Sequence, residues 1–174
     1  MTGPAEDQAE QLAQGIGKEF RRRMLEEYVP RIRHCVSLLD ESQLWQKPTP
    51  HNNSVANLLI HLAGNVRQWI QVGIGDEPDL RDRDAEFESS SDGVQATGTE
   101  LVQRLEDTVR EAVSIVDELG PGNLLEVHAF QGGRYEDSLL GAVLHVMEHF
   151  SGHAGQIYAL TKQTLGIDLK FYDL

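Results

Sequence analysis

The chain has 174 residues, 40% hydrophobic and 25% charged, which is enough for one globular domain with a full apolar core. Its formal net charge of −13 argues against binding to nucleic acids or to an anionic membrane, because both need a basic surface. We expect a cytoplasmic protein without an intrachain disulfide, since Cys35 is the single cysteine and no apolar segment has signal or membrane-span character.

The first predicted helix follows a polar N-terminus. Residues 1–14 are predicted to be frayed because they are polar. From about Gly17 to Asp40 apolar residues recur at helical spacing, and Pro30 is expected to kink this helix because proline removes a backbone donor. A loop with two prolines separates it from a second helix, which is capped by Asn53 or Ser54 and runs to about Ile74.

The second half of the chain predicts a long loop, a hairpin and two further helices. The charged stretch 77–93 is interpreted as a long ordered loop, and such loops are often functional. A third helix follows from Thr97 or Thr99 to about Leu119. Residues 124–137 alternate around a Gln-Gly-Gly turn, which is typical of a short β-hairpin. The last helix covers about 138–165.

These elements predict an all-α protein with one domain over residues 1–174. Its fold class is a four-helix bundle with a long loop between helices 2 and 3 and a short β-hairpin between helices 3 and 4. We also expect a homodimer.

Three histidines lie one helical turn apart in the last predicted helix, namely His145, His149 and His153, and His61 lies in an apolar part of the second helix. Imidazole is the commonest metal-binding side chain, so a metal site is predicted. With a rise of about 1.5 Å per residue, His145 and His153 lie about 12 Å apart along the axis. The pair that shares an ion with His61 is therefore adjacent, either 145/149 or 149/153.

The segment from His145 to His149 also fits H-x-x-E-H, the inverted zincin protease pattern. That class needs a glutamate ligand well downstream, and no glutamate follows Glu148 in this chain. Glu148 is also turned about 100° from His149 around the helix, which favours a surface or intersubunit position. The protease interpretation is therefore disfavoured. His34, His51 and His128 are expected to be structural or solvent-facing.

His61 in LLIHLAGN, with His149 and His153 in HFSGHAGQI, resembles the motif of the DinB-like superfamily. That motif is a histidine in helix 2 and H-x-x-x-H in the last helix, commonly continued as H-x-G-Q. The resemblance covers nearly the whole chain, and the segments around residues 44–70 and 81–87 are similar to a poorly characterised bacterial branch. It implies a four-helix bundle and selects His61, His149 and His153 as ligands of a divalent transition metal. Zn or Ni is the first choice, and Fe, Co and Cu also suit imidazole.

The superfamily includes metal-dependent thiol S-transferases that use bacillithiol or glutathione, and a mycothiol-dependent isomerase. The resemblance therefore implies an S-transferase that activates a low-molecular-weight thiol for attack on a small electrophilic substrate. His145 is expected to act as a general base or to orient the thiol. Arg81 and Arg83 are candidates to clamp carboxylates of the thiol, or else form local salt bridges. Asn65 and Gln156 are expected to support the metal ligands.

Two other classes of function stay open, so the sequence alone does not establish that the protein is an enzyme. One is a metal-dependent hydrolase that activates water. The other is a non-catalytic metal-binding or stress-response protein.

Overall fold

A computed structural model describes residues 3–91, 93–94 and 96–171. The described helices and strands, in chain order, are α1 (Pro4–Arg21), α2 (Val29–Leu38), α3 (Glu41–Trp45), α4 (Val55–Val66), α5 (Arg83–Glu88), α6 (Gly98–Asp117), β1 (Val127–Phe130), β2 (Tyr135–Ser138) and α7 (Leu139–Leu165). The π-helical segment Arg22–Tyr28 joins α1 to α2, and a second one, Arg67–Val72, extends α4. The fold is mostly helical with one small hairpin, as predicted.

Four long helical stretches enclose the core. The stretch containing α2 contacts α6 and α7, and α4 also contacts both, so the four stretches form a closed ring of neighbours. Their inner faces bury aliphatic and aromatic side chains, among them Phe20, Met24, Ile32, Leu58, Leu62, Leu105, Val109, Val143, Phe150 and Ile157. Ser54, Thr97 and Ser138 cap the helices that follow them through their side-chain oxygens. None of the described helices is long and apolar enough to cross a membrane.

The N-terminal helix begins much earlier than predicted. Residues 4–14 belong to α1, so the frayed N-terminus is a wrong prediction for them, and residues 1 and 2 lie outside the described part. Pro4 stands in the first turn, where its missing donor costs nothing. The Gly3 N–H donates to the Glu6 carboxylate at 2.8 Å. Ala13 is buried in the core, which ties this amphipathic segment to the bundle.

A π-helical segment stands immediately before Pro30, where the sequence predicts a kink. The Val29 N–H donates to the carbonyl of Met24, five residues back. Proline cannot donate to the carbonyl four residues before it, and its ring crowds that carbonyl. A wider turn next to the proline is one way in which a helix accommodates this defect.

Two short helices stand where the sequence predicts loops. The five-residue α3 follows α2, and α5 lies inside the charged stretch between the second and third long helices. The Asp82 carboxylate accepts a hydrogen bond from the Ala85 N–H at 3.0 Å and so starts α5. Helix α5 packs against α4, which brings the charged stretch close to His61.

The predicted β-hairpin is present, with Val127 paired to Ser138 and Phe130 paired to Tyr135. The Phe130 ring is buried and stacks on Trp69, with 4.9 Å between ring centroids. These contacts fix the hairpin at the end of the second long helix.

Candidate metal centre

Three imidazoles from two helices meet inside the bundle. His61 comes from α4, and His149 and His153 come from successive turns of α7. One ring nitrogen from each lies within 4.8 Å of the others, and His61 Nε2 is 3.0 Å from His149 Nε2. His61 is 2% exposed, whereas the other two are partly exposed. The geometry groups 149 with 153 and leaves His145 outside the cluster.

The cluster has the chemistry of a divalent-metal site. Two bonds of about 2.1 Å between zinc and nitrogen span at most about 4.2 Å, so the rings need to move little to share an ion. His153 Nδ1 lies 3.1 Å from Gln156 Oε1, an acceptor, so the hydrogen sits on Nδ1 and Nε2 is free to ligate. Three imidazoles with free nitrogens could hold a divalent ion and leave further positions open.

The surroundings of His149 and His153 favour the neutral form of both imidazoles. Burial, followed by the nearby His153, His61, His145 and Arg81, lowers the pKa of His149 to about 3. Burial also lowers the pKa of His153, which its hydrogen bond with Gln156 opposes. Only a neutral imidazole offers a lone pair to a metal, so this environment favours ligation at neutral pH.

Glu86 is part of the site, although it was not among the residues predicted from the sequence. Its Oε2 lies 2.9 Å from His61 Nδ1, and the Glu86 side chain is buried within the short helix α5. Burial alone would raise the pKa of Glu86, but hydrogen bonds from Arg81 and His61 outweigh burial and lower it. A glutamate within a run of charged residues looks solvent-exposed, and only the packing of α5 on α4 makes it a partner of His61.

Arg81 and Arg83 occupy different environments. Arg81 donates to Glu86 from Nε at 2.7 Å and to Gln68 Oε1 at 2.8 Å. This buried ion pair differs from the predicted substrate clamp, because the guanidinium already faces protein acceptors. Arg83 is exposed, and its guanidinium lies 5.4 Å from the centre of the Phe87 ring.

An open cavity of about 470 Å³ lies beside the cluster. His145 lines it and packs on Trp69, with 4.1 Å between ring centroids, and burial lowers the pKa of His145. The remaining lining residues come from the same helix, namely Glu148, His149, Gly152, His153 and Gln156. Among these residues Glu148 is exposed to solvent.

Asn65, one turn after His61, is 4% exposed, and its Oδ1 has no hydrogen-bond partner among the described residues. It lies on the same side of α4 as His61, but no hydrogen bond joins it to a histidine within that part of the chain. Gln156, by contrast, contacts His153 directly.

Residues 21–166 match the sequence model of a family described as mycothiol S-transferase. The chain belongs to this family. The matched range contains the three clustered histidines, His145, Arg81 and Glu86. No curated protein is similar enough in sequence to count as a match.

The family match and the fold shared with solved structures together confirm the predicted DinB-like membership. A DinB-like protein from Bacillus subtilis superposes with a TM-score of 0.64 at 15% identity, over 91% of this chain and 97% of that one. A DinB-like protein from Bacillus cereus has a TM-score of 0.59 at 15% identity, over 82% of this chain and 88% of the other. At this identity the likeness concerns the fold alone.

Proposed function

We propose that this protein is a metal-dependent S-transferase that joins a low-molecular-weight thiol to a small electrophilic substrate. The observation that carries the proposal is the convergence of His61, His149 and His153, the last two of which line an open cavity. Membership of the mycothiol S-transferase family makes mycothiol the first thiol to test. The cavity of about 470 Å³ is of the size that small-molecule sites have in proteins.

Each residue of the site has a role in this proposal. His61, His149 and His153 would hold the ion, and Gln156 would orient His153 through Nδ1. A divalent ion held there supplies positive charge that favours the thiolate form of a thiol. His145 is partly buried with a lowered pKa, so it is neutral near pH 7 and can accept the thiol proton as a general base.

The substrate side of the proposal concerns Arg83 and Asn65. Arg83 and Arg134 line a polar cavity whose wall also contains Asp79, Asp82 and Asp84. Their exposed guanidinium groups would bind a carboxylate on the thiol or substrate only in competition with these aspartates. Asn65 has a buried carbonyl oxygen free to accept a hydrogen bond next to His61. We further propose a cytoplasmic homodimer, which sedimentation analysis and cell fractionation would test.

The test combines metal analysis with a panel of thiols. The purified protein is assayed for bound metal and then mixed with a chlorinated aromatic electrophile and mycothiol, bacillithiol or glutathione, with and without EDTA. We expect conjugation that requires a thiol, disappears with EDTA and returns with Zn²⁺ or Ni²⁺. Ester or amide turnover without thiol would instead indicate a hydrolase. Tight metal binding with no turnover would indicate a non-catalytic metal-binding protein.

A further inference from the structure

We propose that Glu86, held in place by Arg81, is a positioning residue that fixes the tautomer and orientation of His61. This inference rests on the metal-binding role of His61 in the proposed function. It assigns a task to the charged stretch between α4 and α6, which the sequence predicts to be a long ordered loop.

The hydrogen-bond geometry determines which nitrogen of His61 carries the hydrogen. Arg81 donates to both carboxylate oxygens of Glu86, from Nε at 2.7 Å and from a terminal nitrogen at 2.9 Å. The ion pair keeps Glu86 as a carboxylate, which can only accept hydrogen bonds. His61 Nδ1, 2.9 Å from Oε2, must therefore be the donor. The Nε2 lone pair is then free, and this is the nitrogen that faces His149.

The contact between Arg81 and His61 fits the same assignment. A terminal guanidinium nitrogen lies 3.1 Å from Nδ1, but both atoms carry hydrogen in this tautomer. Glu86 bridges the two donors and makes their proximity favourable. Without the carboxylate, Arg81 would donate to Nδ1 directly and would favour the opposite tautomer, with hydrogen on Nε2.

The ion pair between Glu86 and Arg81 is buried, unlike most ion pairs among the residues that the structure describes. The side chains of His61, Glu86 and Arg81 are 3%, 7% and 7% exposed. Exposed ion pairs contribute little to stability, whereas breaking a buried one leaves an uncompensated charge. Loss of either Glu86 or Arg81 would therefore leave the other as an unpaired buried charge.

Helix α4, which carries His61, has a glycine where the side chains of Glu86 and Arg81 approach it. A Cβ at Gly64 would overlap a carboxylate oxygen of Glu86 and lie 3.0 Å from Arg81 Nε. The Asn57 side-chain amide donates to the carbonyls of Glu86 and Ser89, at 3.0 Å each. Asn57 therefore holds the backbone of α5 against α4, and the absence of a side chain at Gly64 lets the carboxylate of Glu86 approach α4 closely.

The pair also leaves the charge of the site unchanged. Arg81 and Glu86 carry opposite unit charges, so His61 gains a hydrogen-bond acceptor without net negative charge next to the cluster. A bound divalent ion would keep its full attraction for a thiolate.

Two variants separate positioning from a purely structural role. Glu86→Gln keeps the shape but replaces one acceptor with an amide donor, which favours hydrogen on Nε2 of His61. Gly64→Ala keeps every charged group but displaces the pair from α4. Gly15→Ala is the matched control, because Gly15 is an exposed helical glycine and no atom of the described residues lies within 4 Å of the added Cβ.

Zn²⁺ affinity is measured by chelator competition, and the His61 tautomer of the metal-free protein by ¹⁵N NMR of the imidazoles. We expect both site variants to bind Zn²⁺ about 10–100-fold more weakly, the usual loss for a partner of a metal ligand, and the control to be unchanged. Wild-type His61 should carry hydrogen on Nδ1, and Glu86→Gln should populate the Nε2 form.

Unchanged affinity in both variants would overturn the inference, as would weaker binding with an unchanged tautomer. If the wild type binds none of Zn²⁺, Ni²⁺, Fe²⁺, Co²⁺ and Cu²⁺, the proposed function fails, but the two tautomer measurements still decide the role of Glu86. Circular dichroism establishes that each variant is folded, and Gly64→Ala tests the idea even if Glu86→Gln does not fold.

Discussion

Replacing His153 and His145 separately should have very different effects on metal binding. Both residues flank His149 by one turn, but only His153 belongs to the cluster with His61. The His145 ring centroid lies 5.6 Å from that of His149, and His145 packs on Trp69 instead. His153→Ala therefore removes a ligand, whereas His145→Ala removes a neighbour of the cavity.

The magnitude follows from the number of ligands. Structural zinc sites with four ligands bind with about 10–16 kcal/mol, or about 2.5–4 kcal/mol for each ligand. Each 1.4 kcal/mol is about tenfold in affinity, so His153→Ala should weaken Zn²⁺ binding by about 10²–10³-fold. His145→Ala should stay within about tenfold of the wild type, the lower bound for loss of a supporting group. Its thiol transfer should nevertheless fall by about 10²-fold or more if it is the general base.

The assay is Zn²⁺ competition with a chelator, together with metal content after dialysis. His34→Ala is the control, because His34 is an exposed histidine on α2. The reasoning is refuted if His145→Ala loses the metal while His153→Ala keeps it. That result would make 145/149 the ligand pair and return attention to the H-x-x-E-H segment.

Three further predictions concern stability. The pKa of His149 is lowered to about 3, against about 6.5 for an unfolded histidine, so the unfolded chain binds a proton that folded His149 does not. The metal-free protein should lose stability as the pH falls below about 6.5, and thermal melts from pH 7 to 5 should show a smaller loss for His149→Phe. Phe150 is fully buried, so Phe150→Ala should cost about 3–5 kcal/mol in urea unfolding, whereas the half-exposed Leu144→Ala should change stability by about 0.5 kcal/mol. Gly166 ends α7 with a φ of 66°, so Gly166→Ala should lower the free energy of unfolding by about 1–2 kcal/mol. Gly152 lies within the same helix with open space around it, so Gly152→Ala should raise the free energy of unfolding by about 0.5–1 kcal/mol. Equal effects of the two substitutions would contradict this account.

The long helices could be predicted because their signals are local. Ser54 and Thr97 are caps that act on the next few residues, and apolar spacing reports the inner face directly. The N-terminal part of α1 and the short α5 were missed for the opposite reason. Their sequences are polar, and contacts with distant helices hold them in place.

The part of the site that lies on a single helix could be predicted from residue spacing. The spacing of His149 and His153 gives a chelating pair, and the motif adds His61. Helical geometry alone could not rank 145 against 153, because the answer depends on where α4 presents His61. Glu86 could not be predicted, since its contact with His61 spans 25 residues and depends on how α5 packs.

The π-helical segment Arg22–Tyr28 lets the first long helical stretch accommodate one additional residue. Met24 and Val29 are both buried, five residues apart, a step that turns an α-helix about 140° away from its starting face. The wider turn absorbs the additional residue, so α2 still directs its apolar face towards α6 and α7. Removing the exposed Glu26 would shorten that step to four, which an ordinary α-helix accommodates. Relatives that differ by one residue at this point can therefore share the same bundle, with α2 unrotated and the histidine cluster undisturbed.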